Sequence, residues 1–87
     1  MKIEYSRQFI KEYKKCPENI KQAFKIRLQI FINNKNDLIL NNHNLSGQLK
    51  KYRSININGD WRAIFQEIDS GEIVYFVAIG THSKLYS

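Results

Sequence analysis

The spacing of apolar positions predicts a helical hairpin near the start of the chain. Ser6 follows a short candidate strand, Lys2–Tyr5, and is a good helix N-cap. Tyr5 and Ile10 stand around it at the spacing of a hydrophobic staple. Pro17 suits the first turn of a second helix. The apolar positions at helical spacing are Phe9, Ile10 and Tyr13, then Ile20, Ala23, Phe24, Leu28 and Phe31, the second set interrupted by Arg27.

The middle of the chain changes character. Residues 33–44 contain six asparagines, and asparagine competes for backbone hydrogen bonds and favours turns. We therefore expect a loop here, with Leu38–Leu40 folding back onto the core. Lys50–Ile57 and Asp60–Ile68 then have the composition of two strands, joined by Asn58-Gly59 as a hairpin turn.

Two registers of this hairpin remain open. A two-residue loop pairs Ile55 with Arg62 and places Arg53 on the same face, which makes a doubly basic patch. A three-residue loop instead pairs Asn56 with Arg62 and sets an amide beside the guanidinium. A shift of one residue exchanges the two faces of a strand, so the turn type decides the surface chemistry.

The last apolar run, Ile73–Ile79, is unbroken and ends at Gly80. Such a run is typical of an interior strand covered on both faces. Without a repeat or linker in the sequence, we expect one domain over residues 1–87. The predicted fold class is α+β, with the N-terminal helical hairpin packed on one face of a small, mainly antiparallel twisted sheet.

Composition narrows the function classes. The single cysteine, Cys16, excludes an internal disulfide framework and a cysteine-based metal cluster, and two histidines are too few for a convincing zinc site. We therefore expect no metal and no other cofactor, and a reducing cytoplasm as the compartment. The longest apolar run, residues 73–79, falls far short of the ~20 residues that span a bilayer, so no membrane partner is expected.

The charge is unevenly distributed. The formal net charge is +6, yet residues 1–53 alone carry +8, with 12 of the 14 Lys and Arg. A basic segment of this kind suits a polyanionic partner, either nucleic acid or an acidic protein segment. It is equally compatible with a basic protein that binds no nucleic acid.

A few residues could carry chemistry on RNA. His43 and His82 lie outside the predicted helices and strands, where either could transfer a proton near neutral pH. Arg62 interrupts an apolar strand, and its planar fork suits a phosphate. Each of these residues also has an ordinary surface role as its alternative. The same holds for the basic cluster around Tyr52, which would contact a phosphate backbone or simply solvate a strand end: Lys50, Lys51 and Arg53.

The order of these motifs resembles the RelE/YafQ-type toxins of bacterial type II toxin–antitoxin systems, within the RelE/ParE superfamily. The resemblance covers nearly the whole chain and is strongest from His43 onward. It rests on His43-x-Leu45-x-Gly47, Tyr52-Arg53-Ser54-Ile55, Gly59-Asp60-Trp61-Arg62-Ala63-Ile64-Phe65 and Gly80-Thr81-His82-Ser83-x-Leu85-Tyr86.

The resemblance implies an mRNA endonuclease that acts in the ribosomal A site without a metal and is neutralised by a cognate antitoxin. It makes His82 the candidate general acid, and His43 a base or substrate-orienting group. It implies that Asp60 orients a histidine or acts as base, that Arg62 stabilises phosphorane charge, and that Tyr86 stacks on the nucleotide. Beside these, the candidate substrate-binding residues of the chain are Lys50, Lys51, Arg53, Asn56 and Trp61.

The match departs from the YafQ pattern at two positions. Asn56 stands where these toxins have a second histidine, and Ala78 where they have an arginine. Two other functions stay open, and only the second of them rests on these departures. One is a ParE-like toxin that inhibits DNA gyrase by binding; the other is an RNA-binding domain without catalysis.

Overall fold

The computed structural model describes residues 1–86. Its sheet has five strands in the order β1-β5-β4-β3-β2, with β1 parallel to β5 and every other pair antiparallel. The elements are β1 (Lys2–Tyr5), α1 (Arg7–Lys14), α2 (Glu18–Asn33), β2 (His43–Asn44), β3 (Arg53–Asn58), β4 (Trp61–Ile68), β5 (Ile73–Thr81) and α3 (His82–Tyr86), with 3-10 turns at Leu38–Leu40 and Gly47–Leu49. The predicted α+β class is confirmed. Within residues 1–86, no helix has the length and apolar character needed to cross a bilayer.

The predicted helical hairpin covers one face of the sheet. Ser6 caps α1, because its Oγ accepts a hydrogen bond from the Phe9 amide at 2.9 Å. Pro17 is the N-cap of α2 and not part of its first turn. Aromatic rings join the two layers, with ring centroids 5.2–5.7 Å apart in the pairs Phe9–Phe76, Phe24–Phe76 and Phe31–Phe65.

The asparagine-rich segment is more ordered than a loop. It forms the 3-10 turn Leu38–Leu40 and the two-residue edge strand β2. Leu40 is fully buried, whereas Leu38 is 95% exposed, so only part of the apolar triplet folds back as expected. Arg27, which interrupts the apolar stripe of α2, donates hydrogen bonds to the carbonyl oxygens of Ile39 and Asn56 at 2.9 and 3.1 Å. The arginine thereby ties this segment to β3.

The β3–β4 hairpin takes the register in which Asn56 pairs with Arg62. Asn58 pairs with Trp61 across Gly59-Asp60, and an irregularity between Asn56 and Asn58 absorbs the extra residue. The alternative pairing of Ile55 with Arg62 is therefore wrong. Strand alternation places Arg53 on the face opposite Arg62, and the doubly basic patch does not form.

The prediction that β5 lies inside the sheet is confirmed, since β1 and β4 flank it. It extends past Gly80 to Thr81. Burial on both faces is found only at Ala78–Gly80; earlier in the strand, Tyr75 and Val77 are partly exposed. The second face of β5 is covered only near the C-terminal end of the strand, because α3 packs there. Leu85 carbons lie 3.4 Å from where a Gly80 Cβ would be.

Candidate active site

A cavity of about 460 Å³ opens on the sheet face opposite α1 and α2. Arg62 identifies this face, because it alternates along β4 with Ala63, a member of the helix-covered core. The cavity brings together four of the five residues expected to be catalytic, and Asp60 lies outside its lining. The lining residues are Asn41, His43, Leu45, Ser46, Leu49, Arg62, His82 and Tyr86.

His43 is held by the turn that precedes it. Its Nδ1 lies 2.7 Å from the carbonyl oxygen of Asn41, which adopts a left-handed conformation with φ of 47°. A carbonyl oxygen only accepts hydrogen bonds, so this contact requires a proton on Nδ1. In the neutral ring Nε2 then carries the lone pair, and the exposed imidazole has an atom ready to take a proton.

Arg53 fastens the strand that carries His43. Its Nε donates to Asn42 Oδ1 at 2.8 Å and its Nη1 to Asn44 Oδ1 at 2.6 Å. One guanidinium therefore hydrogen-bonds to the residues on both sides of the histidine. Arg53 does not line the cavity. Arg53, which was expected to contact a phosphate, thus holds the two asparagines that flank His43.

His82 is the first residue of α3 and is held through its backbone. Its amide donates to the carbonyl oxygen of Asp60 at 2.8 Å. One helical turn later, the Tyr86 ring meets the His82 imidazole edge to face, with centroids 4.7 Å apart and planes at 63°. Asp60 contacts His82 through its backbone carbonyl, which any residue at this position would supply, and its side chain is exposed. A role for the Asp60 carboxylate in orienting a histidine or as a base stays a prediction.

Arg62 reaches the cavity from the hairpin. Its Nη1 donates to the carbonyl oxygens of Gly59 and Trp61, at 2.7 and 3.0 Å. A guanidinium has five N–H donors, and these two bonds occupy Nη1 alone. The side chain is thus both held in place and equipped to bind an anion bidentately.

The chain matches a known protein family. The model of a family described as bacterial toxin of type II toxin–antitoxin system, YafQ, matches residues 1–87. The chain belongs to this family. The resemblance inferred from the sequence motifs is thereby confirmed. A search of curated proteins gives no significant match.

Solved structures agree with the YafQ assignment. YafQ from Escherichia coli BL21(DE3) matches with a TM-score of 0.81 and 28% identity, over 98% of this chain and 97% of that chain. A structure of the E. coli DinJ–YafQ toxin–antitoxin complex matches at 0.78 and 29% identity, over 98% and 96%. The RelB–RelE complex of Methanococcus jannaschii matches at 0.75 and 20% identity, over 97% and 95%, which shows a shared fold.

The other expected substrate-binding residues of this YafQ-family chain do not line the cavity. Lys50 and Lys51 are exposed in the segment before β3. Trp61 is partly buried against the core and borders a separate cleft beneath α1. Asn56 lies beside Arg62, and within residues 1–86 its Oδ1 is buried without a hydrogen-bond partner.

Residues 1–86 contain no group of three or more His, Cys, Asp or Glu side chains arranged to hold a metal ion. The titratable and cationic side chains that line the cavity are the two imidazoles of His43 and His82, the guanidinium of Arg62 and the phenol of Tyr86.

Some lining residues were not singled out from the sequence. Leu45 was visible only as part of the His43-x-Leu45-x-Gly47 motif. Asn41 and Leu49 had no individual signal, since an asparagine in an asparagine-rich run and a leucine before a lysine pair are both ordinary. Their place in the cavity follows from the two 3-10 turns that shape the β2 segment.

Proposed function

We propose that this YafQ-family chain is a metal-independent endoribonuclease that cleaves mRNA in the ribosomal A site of the bacterial cytoplasm. The observation that carries the proposal is the convergence of two imidazoles, one guanidinium and one phenol on a single cavity: His43, His82, Arg62 and Tyr86. These groups match the demands of RNA cleavage without a metal. A proton must leave the 2′-OH, charge must be stabilised on the phosphorane, and the 5′-oxygen must be protonated.

The reaction follows from the roles of the two histidines. Nε2 of His43 takes the 2′-OH proton as the 2′-oxygen bonds to the adjacent phosphorus. His82 gives a proton to the 5′-oxygen as the bond between phosphorus and that oxygen breaks. The products are a 2′,3′-cyclic phosphate and a 5′-hydroxyl end. General acid–base catalysis of this kind contributes typically about 10²–10⁴-fold.

Arg62 supplies the positive charge that the phosphorane needs, and Tyr86 offers a ring for stacking on the nucleotide. Arg62 lies close to the position at which YafQ-type toxins carry an arginine and this chain carries Ala78. Gly80 is the cross-strand partner of Arg62, and Ala78 lies two positions before it on the same face of β5. We infer that the cation comes from the neighbouring strand in this chain.

The natural regulator in this proposal is a cognate antitoxin. The E. coli relative has been solved as the DinJ–YafQ toxin–antitoxin complex. A charge of +6 on 87 residues suits an acidic or amphipathic segment that folds on binding.

The test is cleavage of a translated mRNA, read by primer extension in cells and on purified ribosomes. We expect discrete cuts with the wild type and a loss of about 10²–10⁴-fold in rate for His82→Ala and for His43→Ala. Ser83→Ala, an exposed neighbour on α3, is the matched control and retains activity.

Wild-type cleavage in excess EDTA supports the metal-independent mechanism, and its abolition would contradict it. Unchanged cutting by both histidine variants would remove these residues from the mechanism. Toxicity that survives in a variant carrying both His43→Ala and His82→Ala, without any RNA cleavage, would favour the gyrase-binding alternative.

A further inference from the structure

Another cavity, of about 340 Å³, adjoins the catalytic cavity, and Leu49 lines both. Ile64 and Ala78, cross-strand partners on β4 and β5, form its floor, and neither belongs to the helix-covered core. Ile64 follows Arg62 by two residues on the same face of β4, a step of about 7 Å along the sheet. We call this cavity the Ala78 pocket.

The small side chain at position 78 leaves this space open. YafQ-type toxins carry an arginine here, and a long side chain at this position would occupy the volume that the alanine methyl group leaves. In the proposed mechanism Arg62 supplies the cation from the neighbouring strand, so position 78 is free for another use. The volume falls within the ~300–1,000 Å³ that is typical of ligand sites.

The walls of the Ala78 pocket have the composition of a nucleobase site. Apolar side chains form most of the lining, among them the half-buried ring of Tyr52. Proteins hold the bases of single-stranded RNA by stacking them on aromatic rings and by hydrogen-bonding to their edges. The groups able to hydrogen-bond to a base edge come from three polar side chains in the lining: Gln8, Glu12 and Lys84.

Gln8 is oriented by its neighbour on α1. Its Nε2 donates to Glu12 Oε2 at 3.4 Å. Glu12 is itself fixed at the edge of β5, since its Oε1 accepts from the Ile79 amide at 3.0 Å. The contact with Glu12 uses one of the two N–H donors of the Gln8 amide and leaves the second donor and Oε1 for a ligand. A side-chain amide with both groups available hydrogen-bonds to a base edge at two points.

We propose that the Ala78 pocket holds the base of the nucleotide immediately downstream of the cut, and that Gln8 determines which base is preferred. The inference rests on the proposed nuclease function. His43, which takes the proton of the upstream 2′-OH, lies on β2 at one edge of the sheet. His82, which protonates the leaving 5′-oxygen, follows β5, and the pocket lies over β4 and β5. The nucleotide on the pocket side is therefore the downstream one, which carries that oxygen.

The probe is a set of four mRNAs on purified ribosomes that differ only in the base downstream of the cut. The measured quantity is the ratio of cleavage rates between the most and the least favoured base. Gln8→Ala should lower this ratio by about fivefold or more, the lower end of what a two-point contact to a base contributes.

Gln22→Ala is the matched control for Gln8→Ala. Gln22 is exposed on α2 and donates to Glu18 at 3.0 Å across the same four-residue spacing. It lines neither the catalytic cavity nor the Ala78 pocket, so this variant should keep the wild-type ratio.

A fifth mRNA, which lacks the downstream base, tests the pocket itself. The wild type should cleave it more slowly than the mRNA with the favoured base. Ala78→Leu fills the pocket with an apolar side chain, and loss of the base should then make no difference to the rate. Because Ala78 is buried and a larger side chain there could weaken folding, Gln8→Glu serves as a second variant at an exposed position. It replaces a donor with an acceptor, so the preference should shift towards cytosine, whose amino group donates to a carboxylate.

Equal cleavage of the four mRNAs by the wild type would overturn the proposal, as would equal ratios for Gln8→Ala and Gln22→Ala. Equal slowing of the wild type and Ala78→Leu by loss of the base would also overturn it. If the wild type cleaves none of the mRNAs, the nuclease function itself is contradicted, which distinguishes that failure from a failure of the pocket alone.

Discussion

Glu12 Oε1 accepts a hydrogen bond from the backbone amide of Ile79 at 3.0 Å. β1 pairs with β5 only over Ile73–Phe76, so beyond Phe76 the edge of β5 has no neighbouring strand. A side chain of α1 therefore serves as a substitute for the missing strand. This contact lies three residues before His82, the residue proposed as general acid.

Replacing Glu12 should show how much the hydrogen bond between Glu12 and Ile79 contributes to the free energy of unfolding. Glu12→Ala leaves the Ile79 N–H without its acceptor, and an unpaired, partly buried donor costs about 1–3 kcal/mol. Glu12→Gln keeps an acceptor oxygen and should lose less. Denaturant unfolding gives the free energies, and amide hydrogen exchange at Ile79 should accelerate in the alanine variant alone. An alanine variant as stable as the wild type, with unchanged exchange, would contradict this reading.

Arg53 should matter for catalysis through the placement of His43. Lysine keeps the charge of arginine but lacks the planar guanidinium that hydrogen-bonds to Asn42 and Asn44 together. We therefore expect Arg53→Lys to lose nearly as much cleavage rate as Arg53→Ala, about 10–100-fold, since small misplacements of a catalytic group have effects of this size. If Arg53 acts only as a charge near the RNA backbone, Arg53→Lys will retain most of the activity, in ribosome-based cleavage assays.

Two serines should respond differently to replacement by alanine. Ser6 Oγ accepts from the Phe9 amide and donates to the Val77 carbonyl at 3.0 Å, so Ser6→Ala should destabilise by about 1–2 kcal/mol. Ser54 is fully buried, and its Oγ has no hydrogen-bond partner within residues 1–86. Ser54→Ala should leave stability unchanged or raise it by about 1 kcal/mol. Thermal or denaturant unfolding of both variants decides; a destabilised Ser54→Ala would reveal a partner for that hydroxyl.

Cys16 should be unreactive in the folded protein. Burial raises the pKa of its thiol, and the nearby Lys21 only partly opposes this effect. Since the folded state holds the thiol proton more tightly, this group's contribution to stability is complete below the ordinary thiol pKa of about 8.5 and is lost as pH rises above it. Iodoacetamide at pH 8 should alkylate native Cys16 at least about tenfold more slowly than the unfolded chain. Equal rates would show that the thiol is accessible.

The β3–β4 hairpin shows how much of the structure the sequence pattern can predict. The Asn58-Gly59 pair predicted the turn to within one residue, because the preference of glycine for positive φ is a local property, and Gly59 has a φ of 52°. The turn itself is Gly59-Asp60, since Asn58 still pairs with Trp61 at the end of β3. The register stayed open, because it depends on how an irregularity between Asn56 and Asn58 fits the core beneath Ile55 and Ile57. That fit decided whether Arg62 lies beside an amide or beside a second arginine.

Local physics in the sequence determined the capped helical hairpin, the strand-rich second half and the basic N-terminal segment, since capping, periodicity and charge act between residues close in the chain. The motif order also indicated the toxin family. Only the tertiary structure decided that His43, from an edge strand, and His82, from the start of α3, line the same cavity as Arg62. It likewise decided that Arg53 holds β2 and that Glu12 completes β5. These relationships join residues far apart in sequence, and they depend on strand order, register and packing, which no local pattern specifies.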